Sequence, residues 1–293
     1  MKYICFGEIL FDCLPSGPVL GGAPLNVAYH MSKLGAEGYV VSGVGEDQLG
    51  ERARREMKEK GVSDSLVFRS SRATGRADIV LTDGDADYTF NSPCAWDDIE
   101  VDLSSIPEEV DVLYFGTLAQ RSEKSRLTLD SIMEKCKARH VFFDVNIRKL
   151  FFTPSIIPKG LEKATILKVN DEELPLILAI ADTVTGDYEE SVSKLASKFG
   201  LDSVIVTKGK KGSELYNDGK WYSNEPPRGL AVEDTVGAGD SLSAGFLHTY
   251  LTTGNVGRAF RVGAETANFV VKQKGAMPDY PEDLYQKLHG LME

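Results

Sequence analysis

The sequence predicts an α/β protein: a mostly parallel sheet covered by helices on both faces, with a small all-β appendage. Three observations carry this. Short, nearly unbroken apolar runs recur at residues 3–11, 39–44, 112–118, 141–145, 165–169 and 203–207, and such runs suit strands buried on both faces. Helical patterns lie between them, and regular alternation of the two implies parallel strands under covering helices. The third observation is a break in that rhythm, at residues 76–91.

Taken in order, the run at 3–11 is the first strand. Val27, Met31 and Leu34 then recur at helical spacing before Gly35. A charged stretch from 49 to 60 stops at Gly61, as a helix followed by a left-handed glycine would. Residues 76–81 and 86–91 read as two strands joined by Thr82-Asp83-Gly84-Asp85, a composition suited to a tight hairpin turn. With residues 13–21 as a further strand, this hairpin forms the appendage. The expected division is therefore 1–12, 23–71 and 96–293 for the α/β body, and 13–22 and 72–95 for the appendage. Its two faces alternate through Ile79, Leu81, Tyr88 and Phe90. Beside a glycine-rich loop, such a hairpin is a candidate lid. Leu242, Phe246 and Tyr250 stand four apart, placing a helix that starts near Asp240. No internal repeat, low-complexity segment or long linker divides the chain.

Composition narrows the function. The chain has 293 residues, 42% hydrophobic and 26% charged, with a formal net charge of -11. That balance disfavours nucleic acid or an anionic membrane as main partner, since both require a positive field. Glu8 and Asp12 interrupt the first apolar run, so it does not read as a targeting segment. Cys5, Cys13, Cys94 and Cys136 have no CxxC spacing, and the four histidines form no HExxH pair. The expectation is a reduced, cytoplasmic protein without a structural metal.

The chemistry is concentrated in Asp234-Thr235-Val236-Gly237-Ala238-Gly239-Asp240-Ser241. Small residues at 237–239 let a backbone approach a ligand closely, and the first amides of the following helix lack internal partners. Together they make an anion cradle. An acid on its rim would repel a resting phosphate. It makes sense if Asp240 takes a proton from a hydroxyl attacking a phosphoryl group. A helix cap would explain the same residues more simply. Gly209-Lys210-Lys211-Gly212-Ser213 lacks Walker A spacing, and Gly43-Val44-Gly45 has no third glycine in register. A nicotinamide-dependent dehydrogenase is disfavoured accordingly.

DTVGAGDSLSAG at 234–245 resembles the C-terminal signature of the ribokinase-like (PfkB) carbohydrate kinases, and GGAPLNVA at 21–28 resembles their N-terminal signature. GVGEDQLG at 43–50 is similar to the segment that follows it, and the likeness runs essentially end to end. Within the family, GEILFD with GGAPLNVA is most similar to bacterial fructokinases. The resemblance implies a ribokinase-like α/β fold with a β lid, and ATP, Mg²⁺ and an uncharged sugar as ligands. It casts Asp240 as base and Gly237, Ala238 and Gly239 as anion hole. Asp12 at the end of the first strand, Gly22 and Asn26 become sugar contacts, with Phe90 on the lid above. Asn26 also suits an N-cap of the helix at 27–34.

On the nucleotide side the resemblance implies Asn170 and Glu173, of an NxxE element, near Mg²⁺ and the ATP phosphates, with Lys168 a phosphate contact. Thr207, Gly209, Gly212 and Asn268 support the nucleotide, and Asp234, the Val236 carbonyl and Gly275 form a monovalent-cation (K⁺) site. Asp144-Val145-Asn146-Ile147-Arg148 is similar to the family's DPNxR element, with valine replacing proline, which predicts a less restricted loop. Arg148 is a candidate phosphate or substrate contact, with an ordinary structural salt bridge as the alternative, and is the one residue that could serve a carboxylate. Arg72 and Arg76 near the lid are offset by Asp78, Asp83, Asp85 and Asp87. A homodimer through the lid is expected. Fructose leads as substrate, with 2-keto-3-deoxygluconate, ribose, nucleosides and sugar phosphates as rivals, and a catalytically silent sugar sensor as the alternative from another class.

Overall fold

The computed structural model describes the backbone of residues 1–82, 85–148 and 151–293, and the side chains of these outside 79–88. Strand β1 (Lys2–Phe6) lies within the large sheet. Its Ile4 and Phe6 belong to one apolar cluster and Tyr3 and Cys5 to another, so alternate side chains serve the two faces of the sheet. The run expected as one strand over 3–11 then breaks at Gly7. Beyond it, β2 (Leu10–Leu14) pairs antiparallel with β3 (Gly17–Gly21) in a second sheet. Asp12 therefore sits on the smaller sheet and not at the end of β1. The boundary expected at residue 13 falls inside β2.

Helix α1 (Ala23–Lys33) begins at Gly22 with Pro24 in its first turn, where a missing N–H costs nothing. It starts four residues before the expected 27. Asn26 lies within it and is not its N-cap. Next come β4 (Glu37–Gly45), α2 (Gln48–Glu59) and β5 (Val67–Ser70). Asp47 caps α2, accepting from Gly50 N at 2.8 Å. The predicted hairpin is β6 (Gly75–Thr82) and β7 (Asp85–Phe90), antiparallel to each other, with β6 parallel to β2. The turn residues Asp83 and Gly84 lie outside the described residues, as do the side chains of Ile79, Leu81, Asp85, Asp87 and Tyr88.

The body continues through β8 (Glu109–Gly116), α3 (Glu123–Lys135), β9 (Lys137–Asp144), α4 (Ile156–Lys163), β10 (Ile166–Asn170), α5 (Leu174–Ile180), α6 (Tyr188–Phe199) and β11 (Ser203–Thr207). An antiparallel edge follows, β12 (Ser213–Asn217) and β13 (Lys220–Asn224), which the apolar-run reading did not anticipate. Three helices close the chain: α7 (Ala238–Thr253), α8 (Val256–Val270) and α9 (Glu282–Met292). The nine-stranded sheet has the order β13-β12-β11-β10-β9-β8-β1-β4-β5, and the four-stranded sheet β3-β2-β6-β7. From β1 the chain first builds toward β4 and β5, then returns to add β8 onward on the other side. Open α/β sheets bind ligands at such a switch point, outside the carboxyl ends of the strands. No helix among the described residues is long and apolar enough to cross a membrane.

Candidate active site

The carboxyl ends of β8, β9, β10 and β11 converge with the start of α7 on a cavity of about 310 Å³. Asp240, in the first turn of α7, is half-buried there. Asn26 Nδ2 donates to Asp240 Oδ2 at 2.8 Å, so α1 fixes the carboxylate from the side. Gly237 caps α7 in a left-handed conformation (φ 77°), and a Cβ on it would lie 2.5 Å from Ala276 Cβ. Any larger residue would displace the helix start, along with the amides that point out of it. Gly22 is equally constrained: its φ is 117°, and a Cβ there would lie 2.3 Å from the Glu8 carbonyl oxygen.

Beneath the loop lies a buried ion pair. Lys168 Nζ donates to both oxygens of Asp144, at 2.9 and 2.8 Å, and Tyr114 Oη donates to Asp144 Oδ2 at 2.8 Å. Lys168 and Asp144 are register partners on adjacent parallel strands, which explains the short reach. A Cβ on Gly239 would come within 3.2 Å of Lys168 Nζ, so the ammonium sits directly under the glycine loop. Burial opposes charge on this lysine, but Asp144 and Asp240 outweigh it and hold its pKa above the usual value.

Carboxyls dominate the rest of the cavity. Burial pushes Asp240 up to about 6 against the pull of Lys168, and Asp12 up to about 6 against that of Arg148. Glu8, which the sequence reading did not single out, is pushed by burial up to about 7. Arg148 favours the charged form of all three. Phe90 lines the same cavity and packs edge-to-face on Phe151, with ring centroids 5.1 Å apart.

A second space, about 720 Å³, opens on the other side of the glycine loop and is lined by Gly209, Gly212, Ala238 and Asn268. Thr207, Thr235 and Gly239 line both. The residues expected on the nucleotide side thus divide: Lys168, Asn170 and Glu173 face the Asp240 cavity, not the cleft. Glu173 Oε1 accepts from Ile147 N at 2.6 Å and Oε2 from Asn170 N at 2.9 Å, while Asn170 Oδ1 accepts from Glu173 N at 2.7 Å. The NxxE pair therefore braces the loop that carries Arg148. Val145 N donates to Lys168 O at 3.0 Å, a bond that proline could not make, so this loop is anchored although it lacks proline.

Asp234 Oδ1 accepts from Val236 N at 3.0 Å and Oδ2 from Gly275 N at 3.1 Å, which brings the three expected cation-site residues together. Both carboxylate oxygens already serve backbone amides. Arg76 pairs with Asp78 at 2.9 Å, as expected, whereas Arg72 reaches Asp98 at 3.9 Å; the side chains of Asp83, Asp85 and Asp87 lie outside the described residues. Glu8 had one signal in the sequence: it is an acid inside an apolar run.

A parallel sheet with a small β appendage, and a glycine loop ending in an acid at the strand ends, is the arrangement of the ribokinase-like sugar kinases. The chain belongs to the pfkB family of carbohydrate kinases, which it matches over residues 18–283. It is 30% identical over 269 residues to the fructokinase of Klebsiella pneumoniae, covering 84% of this chain and 83% of that protein. With the fructokinase of Rhizobium leguminosarum bv. trifolii the figures are 27% over 261 residues, 83% and 78%. Among solved structures, the fructokinase of Vibrio cholerae O395, bound to fructose, ADP and calcium ion, superposes with a TM-score of 0.83 at 22% identity, covering 100% of this chain and 99% of that one.

Proposed function

We propose that the protein is an ATP-dependent fructokinase that transfers the γ-phosphate of ATP to the 6-hydroxyl of fructose, giving fructose 6-phosphate. The observation that carries this reading is the placement of Asp240, held by Asn26 in one space and next in sequence to Gly239, which lines both that space and the adjoining cleft. ATP enters the cleft toward Asn268, and its γ-phosphate reaches the Gly237–Gly239 amides at the helix N-terminus. The sugar occupies the cavity between Asp12, Gly22, Asn26 and Phe90. Asp240 takes the proton as the hydroxyl attacks. The four-stranded sheet acts as a lid that excludes water, a competing acceptor.

Magnesium fits this site as an ion carried by the nucleotide. Among the described residues, no group of three or more His, Cys, Asp or Glu could hold a metal by itself. Mg²⁺ keeps several waters and needs only one or two carboxylates beside phosphates, and Glu173 with Asn170 would meet it from the outer side. When bound, it would neutralise charge on the phosphates. Asp234, Val236 and Gly275 would hold a K⁺ ion. Exposed Leu14 and Val19 on the small sheet suit a second copy of the chain in a homodimer, and four free thiols suit a reducing, cytoplasmic setting.

Fructose is favoured over 2-keto-3-deoxygluconate because the cavity already gathers Glu8, Asp12 and Asp240 around Arg148. A further carboxylate would meet three acids for one guanidinium, and Lys168 is committed to Asp144. The test is a sugar panel with product identification. Fructose is expected to give the highest kcat/KM, above ribose, 2-keto-3-deoxygluconate and fructose 6-phosphate. A sugar acid or sugar phosphate in first place would overturn the substrate, and absence of ATP turnover with every sugar would overturn the kinase reading.

A further inference from the structure

Glu8 belongs to neither sheet. It lies where the chain leaves β1 for β2, and Gly22 marks the return from β3 to α1. The two crossings touch. The Glu8 carbonyl fills the space a Cβ on Gly22 would need, and Ala23 N donates to Glu8 Oε1 at 3.3 Å. Glu8 is only 4% exposed, yet it lines the cavity with Asp12, Asn26, Arg148 and Asp240. Among the described residues its hydrogen-bond donors are two backbone amides, those of Ala23 and of Glu8 itself. A carboxyl has about four acceptor sites, and burying one with so few donors is unfavourable unless something else completes the set.

Resting on the reading that this cavity holds the acceptor, we propose that Glu8 is a further sugar-contacting, specificity-determining residue whose carboxyl meets one hydroxyl of the bound sugar. A purely structural stitch between the two crossings would need only the oxygen that serves Ala23, and an apolar wall would then suit the cavity side better. Instead Glu8 lines the cavity together with Arg148 from the loop after β9 and Asp240 from α7, and both act on its charge. With a pKa of about 7 it can donate as well as accept near neutrality, which widens the set of hydroxyl orientations it satisfies.

The experiment uses whichever neutral sugar the panel ranks first, so a change of preferred sugar leaves it intact. Glu8→Gln retains an oxygen for the Ala23 amide and the side-chain shape. It should raise the sugar KM by about tenfold, the loss of one good hydrogen bond, with the KM for ATP and the Tm unchanged. A series of mono-deoxy sugars is then compared in wild type, Glu8→Gln and Glu8→Ala. One analogue should pay a penalty of about tenfold or more in wild type that shrinks in Glu8→Ala. If every deoxy analogue keeps its wild-type penalty in both variants, the proposal is overturned. Should Glu8→Ala fail to fold, the same comparison in Glu8→Gln decides. Equal losses in ATP KM and Tm would leave Glu8 a structural stitch only.

Discussion

The cavity around Asp240 and the cleft running toward Asn268 share Thr207, Thr235 and Gly239 but are built from different material. The cavity is walled by ionisable side chains: Glu8, Asp12, Asp144, Arg148, Lys168, Glu173 and Asp240. The cleft is walled largely by glycine, proline and small or apolar residues, among them Gly209, Gly212, Pro226, Pro227, Gly229 and Ala264. Buried charges need partners, so the cavity is cross-braced: Asn26 on Asp240, Asp144 on Lys168, and backbone amides on Glu173. Backbone and apolar walls need no such bracing. The contrast fits a division of labour in which one side performs chemistry and selects hydroxyls while the other accommodates a flat, largely apolar base. It also sets how sharply each side should respond to substitution.

The largest effect is expected at the braced acid. Asp240→Asn should lower kcat by about 10²–10⁴, the usual worth of a general base, with the KM for ATP nearly unchanged. Steady-state kinetics on the folded variant check this, and near-normal kcat would rule out Asp240 as the base. At the boundary the loss should be somewhat smaller. Gly239→Val would press on Lys168 Nζ and tilt the adjacent amides. A lost anion-hole donor corresponds to about 10²–10³ in kcat, to be read beside circular dichroism confirming the fold. The smallest effect belongs to the cleft: Asn268→Ala should raise the KM for ATP a few-fold, about the net worth of one hydrogen bond, and leave sugar KM unchanged. A sugar-specific defect from Asn268→Ala would break the division between the two sides.

The same contrast governs what the sequence made legible. GGAPLNVA and DTVGAGD, which carry Asn26 and Asp240, were readable because each resembles a signature of one family and because an acid on the rim of an anion cradle calls for a chemical role. The bond between Asn26 and Asp240 was not readable, because it spans 214 positions and depends on how α1 packs on α7. The first apolar run looked like one strand because apolar character does not say which sheet a strand joins. Only Gly7 marks the change, and a single glycine is a weak signal. The β12–β13 edge was missed since half-exposed antiparallel strands carry polar residues such as Glu214 and Ser223, which break up an apolar run. The cleft walls around Pro226 and Pro227 left no trace, because backbone surfaces are shaped by conformation and not by side-chain identity. Val145 shows the converse. Its departure from proline was visible, but its compensating bond to Lys168 O required the fold.

The central claim is that Asp240 removes a proton from the acceptor while buried among other acids. The measurement that tests it most directly is the pH dependence of kcat at saturating sugar, ATP and Mg²⁺, where groups that act only in sugar binding drop out. Burial raises Asp240 from 3.8 to about 6, so it is a carboxylate, and a competent base, above that value and is progressively protonated below it. In the wild type, kcat should be level above neutrality and fall about tenfold per pH unit below the pKa that Asp240 keeps with its substrates bound. The residual kcat of Asp240→Asn should lack this acid limb. An identical acid limb in the variant would contradict the assignment.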